Sequence, residues 1–339
     1  MKKYQITTIG NALLDMEFHI KESFLETHAI EKGLQTLIDQ DQLKSLLQAL
    51  EGKDCLQNAG GACTNSLVAA AQLGAQTFYH CQIGNDAYGD TLINSLEVAK
   101  VDTCPLEKMQ TPGPTGICIA LITPDAERTM LTYLGMSDSI AEANVDFEAI
   151  KQSEYFLVEG FQCITDLSRA TNQIAMKQAQ AAGTKIALSF CDEAVVQYFH
   201  PQISELLHAS PIDILFCNQH EAMKYTQTNS IEEASEALKN ISKSFAMTLG
   251  SQGALVFDGQ NTFTIESESV QATDTLGAGD LFAGSFLYAL TQGKNYEEAG
   301  TFANKAAARL VTTFGARLEQ AVLVGLYEAF CEEKARALA

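Results

Sequence analysis

The sequence predicts an α/β protein with a doubly wound, mostly parallel sheet. Two observations carry this expectation. Strand-like and helix-like segments alternate along most of the chain, and such alternation lays helices on both faces of a parallel sheet. Apolar residues make up 46% of the chain and charged residues 19%, which is enough apolar surface for a packed core and far from a disordered composition. A length of 339 residues allows one large α/β domain or two smaller ones.

The elements follow in order. Tyr4–Ile9 reads as the first strand. Leu43, Leu46, Leu47 and Leu50 recur on one helical face, with Asp39 or Asp41 as N-cap. Asn65–Leu73 reads as a helix ended by Gly74, and Thr77–Ile83 as a strand. Then come strand Tyr155–Val158, helix Asp166–Ala182, strand Lys185–Phe190, a helix to about Ala209 and strand Ile212–Cys217. Ser244–Leu249 and Ala254–Phe257 read as strands, and Ala278–Leu290, Glu297–Thr312 and Glu319–Ala337 as helices. Met16–Ile38 and Cys118–Leu134 break the pattern with short alternating segments and little helical signal. They fit either an antiparallel flap built on the sheet or ordinary edge strands. No long linker, low-complexity run or internal repeat occurs. Open parallel sheets bind ligands beyond the carboxyl ends of their strands, which directs attention to the loops there.

The charge balance narrows the ligands. With 22 basic and 42 acidic residues the net charge is −20. That argues against nucleic acid or an anionic membrane as the main partner, because a phosphate backbone is bound by a basic face. An anionic ligand would have to be held by local attraction against the field of the whole chain. The start, MKKYQITTIG, lacks the apolar stretch of a signal peptide, and no apolar run approaches the ~20 residues of a membrane helix. Nine scattered cysteines without a CxxC read as free, mostly buried thiols of a cytoplasmic protein rather than disulfides or a zinc site.

The sharpest chemical signal is Asp274-Thr275-Leu276-Gly277-Ala278-Gly279-Asp280, followed by an apolar helix. Small residues just before a helix leave its first N–H groups uncovered, and with the helix dipole they form an anion site that needs no basic side chain. Asp280 stands beside it, where a carboxylate can take a proton from an attacking hydroxyl while the amides stabilise a transferring phosphoryl group. By itself the segment also fits a tight glycine turn with Asp280 merely capping the helix. Asn58-Ala59-Gly60-Gly61-Ala62-Cys63-Thr64-Asn65 is a second small-residue turn entering a helix, with Thr64 or Asn58 as a candidate cap and Asn65 as a hydroxyl ligand. Asn11 and Asp15 follow the first strand and can bind neutral hydroxyls. Asn218 and Glu221 share a face if a helix begins there, and Glu221 can then hold magnesium through water. Thr248-Leu249-Gly250-Ser251-Gln252-Gly253 joins two strands as a glycine-rich hairpin within reach of a nucleotide.

GxxxxGK[ST] is absent, as are the protein-kinase motifs, a GxSxG elbow and a GxGxxG after the first strand. Taken in order, Gly60-Gly61…Asn65, Gly84-Asn85-Asp86-Ala87-Tyr88-Gly89, Asn218…Glu221, Thr248…Gly253 and Asp274…Asp280 resemble successive motifs of the ribokinase-like (PfkB-type) family of sugar and nucleoside kinases, over nearly the whole chain. Thr115–Ile122 with Thr123-Pro124-Asp125-Ala126-Glu127-Arg128-Thr129-Met130 looks most like the bacterial adenosine kinases within it.

The resemblance implies a three-layer α/β/α kinase domain over 1–339, with a small discontinuous β lid at about 16–38 and 112–135. It implies Asp280 as catalytic base and Gly277, Ala278 and Gly279 as anion hole. It implies Asp15, Gly60, Gly61, Asn65 and Phe161 around the substrate, beside Asn11 at the end of the first strand. Asn218, Thr248, Gly250, Gly253 and Asn304 would meet the nucleotide, Arg128 would swing onto the phosphates, and Glu221 would hold magnesium. ATP and Mg2+ are the implied cofactors. A monovalent cation near the loops of Asp274 and Gly315-Ala316, found in some members, is left open. The implied acceptor is a primary hydroxyl of a ribonucleoside, adenosine first, or of a sugar such as ribose or fructose. The protein would act as a monomer or homodimer, without nucleic acid or membrane. A non-catalytic nucleotide or metabolite sensor on the same fold, and a nicotinamide oxidoreductase, are the competing classes. Two departures stand out: Gln162 follows Phe161 where purine-stacking aromatics are common, and Cys63 beside the glycine turn has no role.

Overall fold

The computed structural model describes residues 2–125 and 127–337. Ala126 of the Thr123–Met130 segment lies outside the described residues, as do Met1, Leu338 and Ala339.

The expected mostly parallel sheet is present. Nine strands run in the order Thr262–Ile265, Ala254–Phe257, Phe245–Thr248, Ile214–Asn218, Lys185–Ser189, Ser153–Glu159, Tyr4–Ile9, Thr77–His80 and Asp102–Thr103. The pairs from Phe245–Thr248 to Asp102–Thr103 are parallel, and the two outer hairpin strands are antiparallel. Successive residues of each central strand face opposite sides, as strand geometry requires. Tyr155, Leu157, Ile214 and Phe216 join one apolar cluster with the helices Ala62–Gln72, Ala278–Thr291 and Tyr296–Leu310. Phe156, Val158, Leu215 and Phe245 join a second, with Asp166–Ala181, His200–Leu207 and Ile231–Leu238. Both faces are therefore covered, which is why these strands read as continuous apolar runs.

A second sheet of five strands stands beside the first, in the order Gln35–Leu37, Arg128–Tyr133, Gly116–Ile122, Leu13–His19 and Leu56–Gly60. It is fed directly by the first strand of the main sheet, only three residues after Ile9. The segment Met16–Ile38 also contains the helix Glu22–Thr27, which the alternating pattern did not suggest. Only Leu25 of its six residues is buried, so its pattern carries almost no periodic signal.

Several boundaries differ from expectation. The predicted helix ending near Ala209 is two, Glu193–Tyr198 and His200–Leu207. Phe199 leaves helical geometry between them and Pro201, without an N–H, starts the second. Thr77–Ile83 splits, because Ile83–Gly84 pairs with Gln110–Thr111 in a separate ribbon. The helix after the glycine pair starts at Ala62, capped by Gly61 at φ 105° and by neither Thr64 nor Asn58. The Thr64 hydroxyl instead donates to the Tyr79 hydroxyl at 2.8 Å. Asp39 does close its helix, through a capping box with Gln42. All nine cysteines are free thiols, and no helix of the described residues is long and apolar enough to cross a membrane.

The feature that positions the site is the crossing of the helices Ala62–Gln72 and Ala278–Thr291. A Cβ at Gly284 would collide with the Ser66 carbonyl oxygen, so the two backbones touch there. Gly284→Ala adds a methyl group to a full interface. It should lower stability by about 2 kcal/mol despite the helix propensity it gains. Chemical denaturation reads this directly, and an unchanged midpoint would show that the helices can part without cost.

Candidate active site

The loops at the carboxyl ends of the parallel strands enclose a cavity of about 400 Å3. Phe161 follows the strand Ser153–Glu159, Cys191 and Asp192 follow Lys185–Ser189, and Asn218 and Thr248 end the next two strands. Leu13, Asp15, Gln35, Cys118, Arg128 and Met130 of the second sheet form the opposite wall. A second cavity of about 330 Å3 adjoins it, lined by Gly250, Gly253, Ser267, Val270, Asn304 and Ala308. Thr248, Thr275, Ala278, Gly279 and Phe282 line both, so the two chambers meet at the start of the helix Ala278–Thr291.

That helix start has the form an anion needs. Gly277 is left-handed at φ 71°, and no side chain caps the first turn. A Cβ there would overlap Ala316, so the turn requires glycine in conformation and in space. Asp274 shapes the approach: its carboxylate accepts from the Leu276 amide at 2.9 Å and the Gly315 amide at 2.8 Å. It also accepts from the Arg128 guanidinium at 2.6 Å, tying the second sheet to this loop. A second Arg128 nitrogen is buried with no hydrogen-bond partner. It is a donor held at the cavity wall, without a protein acceptor.

Asp280 sits in the first turn and lines the first cavity. The Asn65 amide donates to its carboxylate at 3.0 Å. Burial and the negative charge of Glu159 push its pKa up to about 7, against the Asn65 bond and the Arg317 charge, which lower it. Asp15 faces the same space. Burial raises it to about 7, with Arg317 lowering and Glu17 and Asp280 raising it. Gly60 does not line the cavity; its missing side chain makes room for the Asp15 carboxylate, which a Cβ would overlap. Gly61 does line it, and a Cβ there would overlap the Asn11 carbonyl oxygen.

Asn11 lies behind the wall. Its side-chain oxygen accepts from Gln162 at 2.9 Å, and its amide donates to Glu159 at 2.7 Å. Gln162 is wholly buried and bonds Asn11, Glu159 and Asn172. The residue that stands in place of an aromatic is thus core scaffolding, while Phe161 faces the cavity. Cys63 belongs to the same network, its amide donating to Glu159 at 3.0 Å. Sequence reasoning missed Glu159 and Arg317, and took Gln162 only as a departure beside Phe161. None falls in a motif, and the partners that give them meaning are far away in the chain.

Asn218 and Glu221 form a reciprocal capping box, with both Glu221 oxygens accepting from Asn218 at 2.8 Å. Burial, helped by Asp192, Asp280 and Glu193, pushes Glu221 up to about 8. Among the described residues no group of three or more metal-ligating side chains converges, while the Glu221 carboxyl at the cavity wall is the oxygen type of ligand that a hydrated magnesium takes. Asn304 lines the second cavity, where its amide donates to the Glu266 carbonyl at 3.1 Å. Asp86 caps the helix Ala87–Val98 and accepts from the Thr115 amide and hydroxyl, so the Gly84–Gly89 motif is a brace outside the cavity lining.

Fold and motifs together define a kinase of the sugar and nucleoside class. The chain belongs to the pfkB family of carbohydrate kinases, whose pattern matches residues 36–321. It is 31% identical over 279 residues to a ribokinase of Haemophilus influenzae, covering 80% of this chain and 86% of the relative. It is 25% identical to an adenosine kinase of Schizophyllum commune over 93% of this chain and 97% of that one. The solved adenosine kinase of Sinorhizobium meliloti superposes with a TM-score of 0.87 at 29% identity, over 99% of this chain and all of that chain. Membership implies ATP as phosphoryl donor and, typically, Mg2+.

Asp280, Asp15 and Glu221 all bind protons more tightly folded than unfolded. For each, stability therefore falls as pH rises from the unfolded carboxyl value near 4 through the folded value, and is flat above it. The Asp280→Asn variant should accordingly melt above the native protein at pH 8, with the gap narrowing at pH 5. Calorimetry at both pH values checks this, and a gap independent of pH would contradict the assigned burial.

Proposed function

We propose that this protein transfers the γ-phosphoryl group of ATP to a primary hydroxyl of a ribonucleoside, with adenosine the favoured acceptor. One observation carries the reading: a carboxylate, Asp280, stands beside an uncapped helix N-terminus where two cavities meet. The acceptor would lie in the first chamber and the nucleoside of ATP in the second, with the phosphates crossing at Gly277, Ala278 and Gly279.

The acceptor chamber favours a nucleoside over a free sugar. Asp15 and Asn65 offer ligands for ribose hydroxyls, while Leu13, Met130 and Phe161 add apolar surface that a pentose alone leaves uncovered. Gly61 permits close approach of the ribose to the backbone. Asn11 and Gly60 act at one remove, by holding the wall and by making room for Asp15. Ribose remains the second acceptor class, favoured by the ribokinase relatives. The free thiols fit a reducing cytosol.

Asp280 takes the proton of the attacking hydroxyl. A base titrating near 7 suits proton abstraction at physiological pH. The helix-start amides stabilise the charge spread over the transferring group. Arg128 exchanges Asp274 for phosphate oxygens, carrying the second sheet down as a lid over residues 16–38 and 112–135 and excluding water. Asn218 would meet the nucleotide, and Glu221 would hold through water a magnesium that would supply neutralisation of phosphate charge. Thr248, Gly250, Gly253 and Asn304 border the nucleoside of ATP.

A coupled ADP-release screen over adenosine, inosine, guanosine, cytidine, ribose and fructose tests the reading. Adenosine should give the highest kcat/KM. The Asp280→Asn variant should lose about 10³-fold in kcat while adenosine and ATP still raise its melting temperature. Native activity should decline as pH falls below about 7, because the ionised base is lost. Thermal shifts without ADP release for any acceptor would instead identify a sensor.

A further inference from the structure

Arg317 lies between the last two helices, Tyr296–Leu310 and Gln320–Ala337, in no motif and outside the cavity lining. Its Nε donates to the Asn65 side-chain oxygen at 2.9 Å, and a terminal nitrogen donates to the Ser95 hydroxyl at 3.0 Å. The other terminal nitrogen is buried with no partner. A guanidinium stays charged even when buried, and one left partly unpaired is a poor choice for stability alone. The position has another use.

An amide presents an oxygen at one end and an NH2 group at the other. Arg317 has only donors, so the Asn65 oxygen must face it. The Asn65 nitrogen then faces Asp280, to which it donates at 3.0 Å. Reversed, the amide oxygen would oppose the carboxylate. We propose that Arg317 is a positioning residue that acts on Asp280 through Asn65, fixing which end of the amide meets the carboxylate and presenting the remaining Asn65 N–H to the acceptor. The proposal rests on the kinase reading for its use, though the contact itself stands apart from it.

Arg317 also opposes the local build-up of negative charge. The ionisable groups facing Asp280 are Glu159 from the strand Ser153–Glu159, Asp15 from the second sheet, Glu221 from the helix Gln219–Thr226, and Arg317. The nearby Cys63 and Cys191 thiols are held well above their usual range by burial and stay neutral. Among these groups Arg317 is the cation. Removing it should leave Asp280 harder to ionise, so that the base is lost at higher pH.

Two variants separate charge from shape. Arg317→Gln can still donate to Asn65 but has no charge, and Arg317→Lys keeps the charge but loses the planar fork. The Asp280 carboxyl midpoint is read by carbon NMR of Asp-labelled protein, with Asp280→Asn identifying the signal. Arg317→Gln should raise it by about one unit and Arg317→Lys should hold it near the native value. One unit is tenfold in the ionised fraction below the midpoint, so turnover of Arg317→Gln should fall about tenfold at pH 6 and recover toward the native rate at pH 9. A midpoint and pH profile shared by the native protein, Arg317→Gln and Arg317→Met, which can neither donate to Asn65 nor carry a charge, would overturn the proposal. If the native protein phosphorylates no acceptor, the kinase reading fails, and the titration still decides whether Arg317 acts on Asp280.

Discussion

The contact between two helix starts governs the site. Helices Ala62–Gln72 and Ala278–Thr291 cross with backbone against backbone at Gly284 and Ser66. That approach brings Asn65 to within 3.0 Å of Asp280, residues 215 positions apart in the chain. Both helices also carry their small-residue turns to the same place, Gly61 on one and Gly277 on the other. A larger residue at 284 would widen the crossing and separate Asn65 from Asp280. The rest of the active-site geometry hangs on this one packing distance, because cores are too dense to absorb a methyl group silently.

Behind that contact lies a layer of buried polar groups outside the cavity lining. Glu159 is fully buried and is satisfied by the Asn11 and Cys63 amides and by Gln162. It pins the end of the first strand, the glycine turn and the Phe161 turn together. Buried carboxylates are tolerated where their oxygens are bonded. Here the bonding is also the means by which three distant loops take one arrangement. The cost appears as a carboxyl held above its ordinary value by burial at Glu159 itself, and as its charge raising Asp280.

The net charge of −20 looks ill suited to a phosphate ligand until the site is seen. Phosphates would meet backbone amides at the helix start and the Arg128 guanidinium, which Asp274 holds in the meantime. Attraction at this range depends on local dipoles and on one cation, and screening by solvent hides the distant surface charge.

The order of strands and helices was legible because the covered sheet writes long apolar runs and the helices write one apolar face each. Asp280, Asn65, Gly61 and Glu221 could be picked out because small-residue turns and helix starts have local chemistry. Helix Glu22–Thr27 and strand Thr262–Ile265 were not legible, being short and largely exposed. Nor was the true place of Asn11, Gly60 and Gln162, since facing a cavity or standing behind its wall depends on residues far along the chain. The sequence by itself determined the fold class, the family and the small-residue turn before the helix Ala278–Thr291, because each rests on local pattern. Only the tertiary structure decided that Asn65 meets Asp280, that Arg128 is held by Asp274 and that Arg317 meets Asn65, because packing between distant segments sets those distances and no periodicity records them.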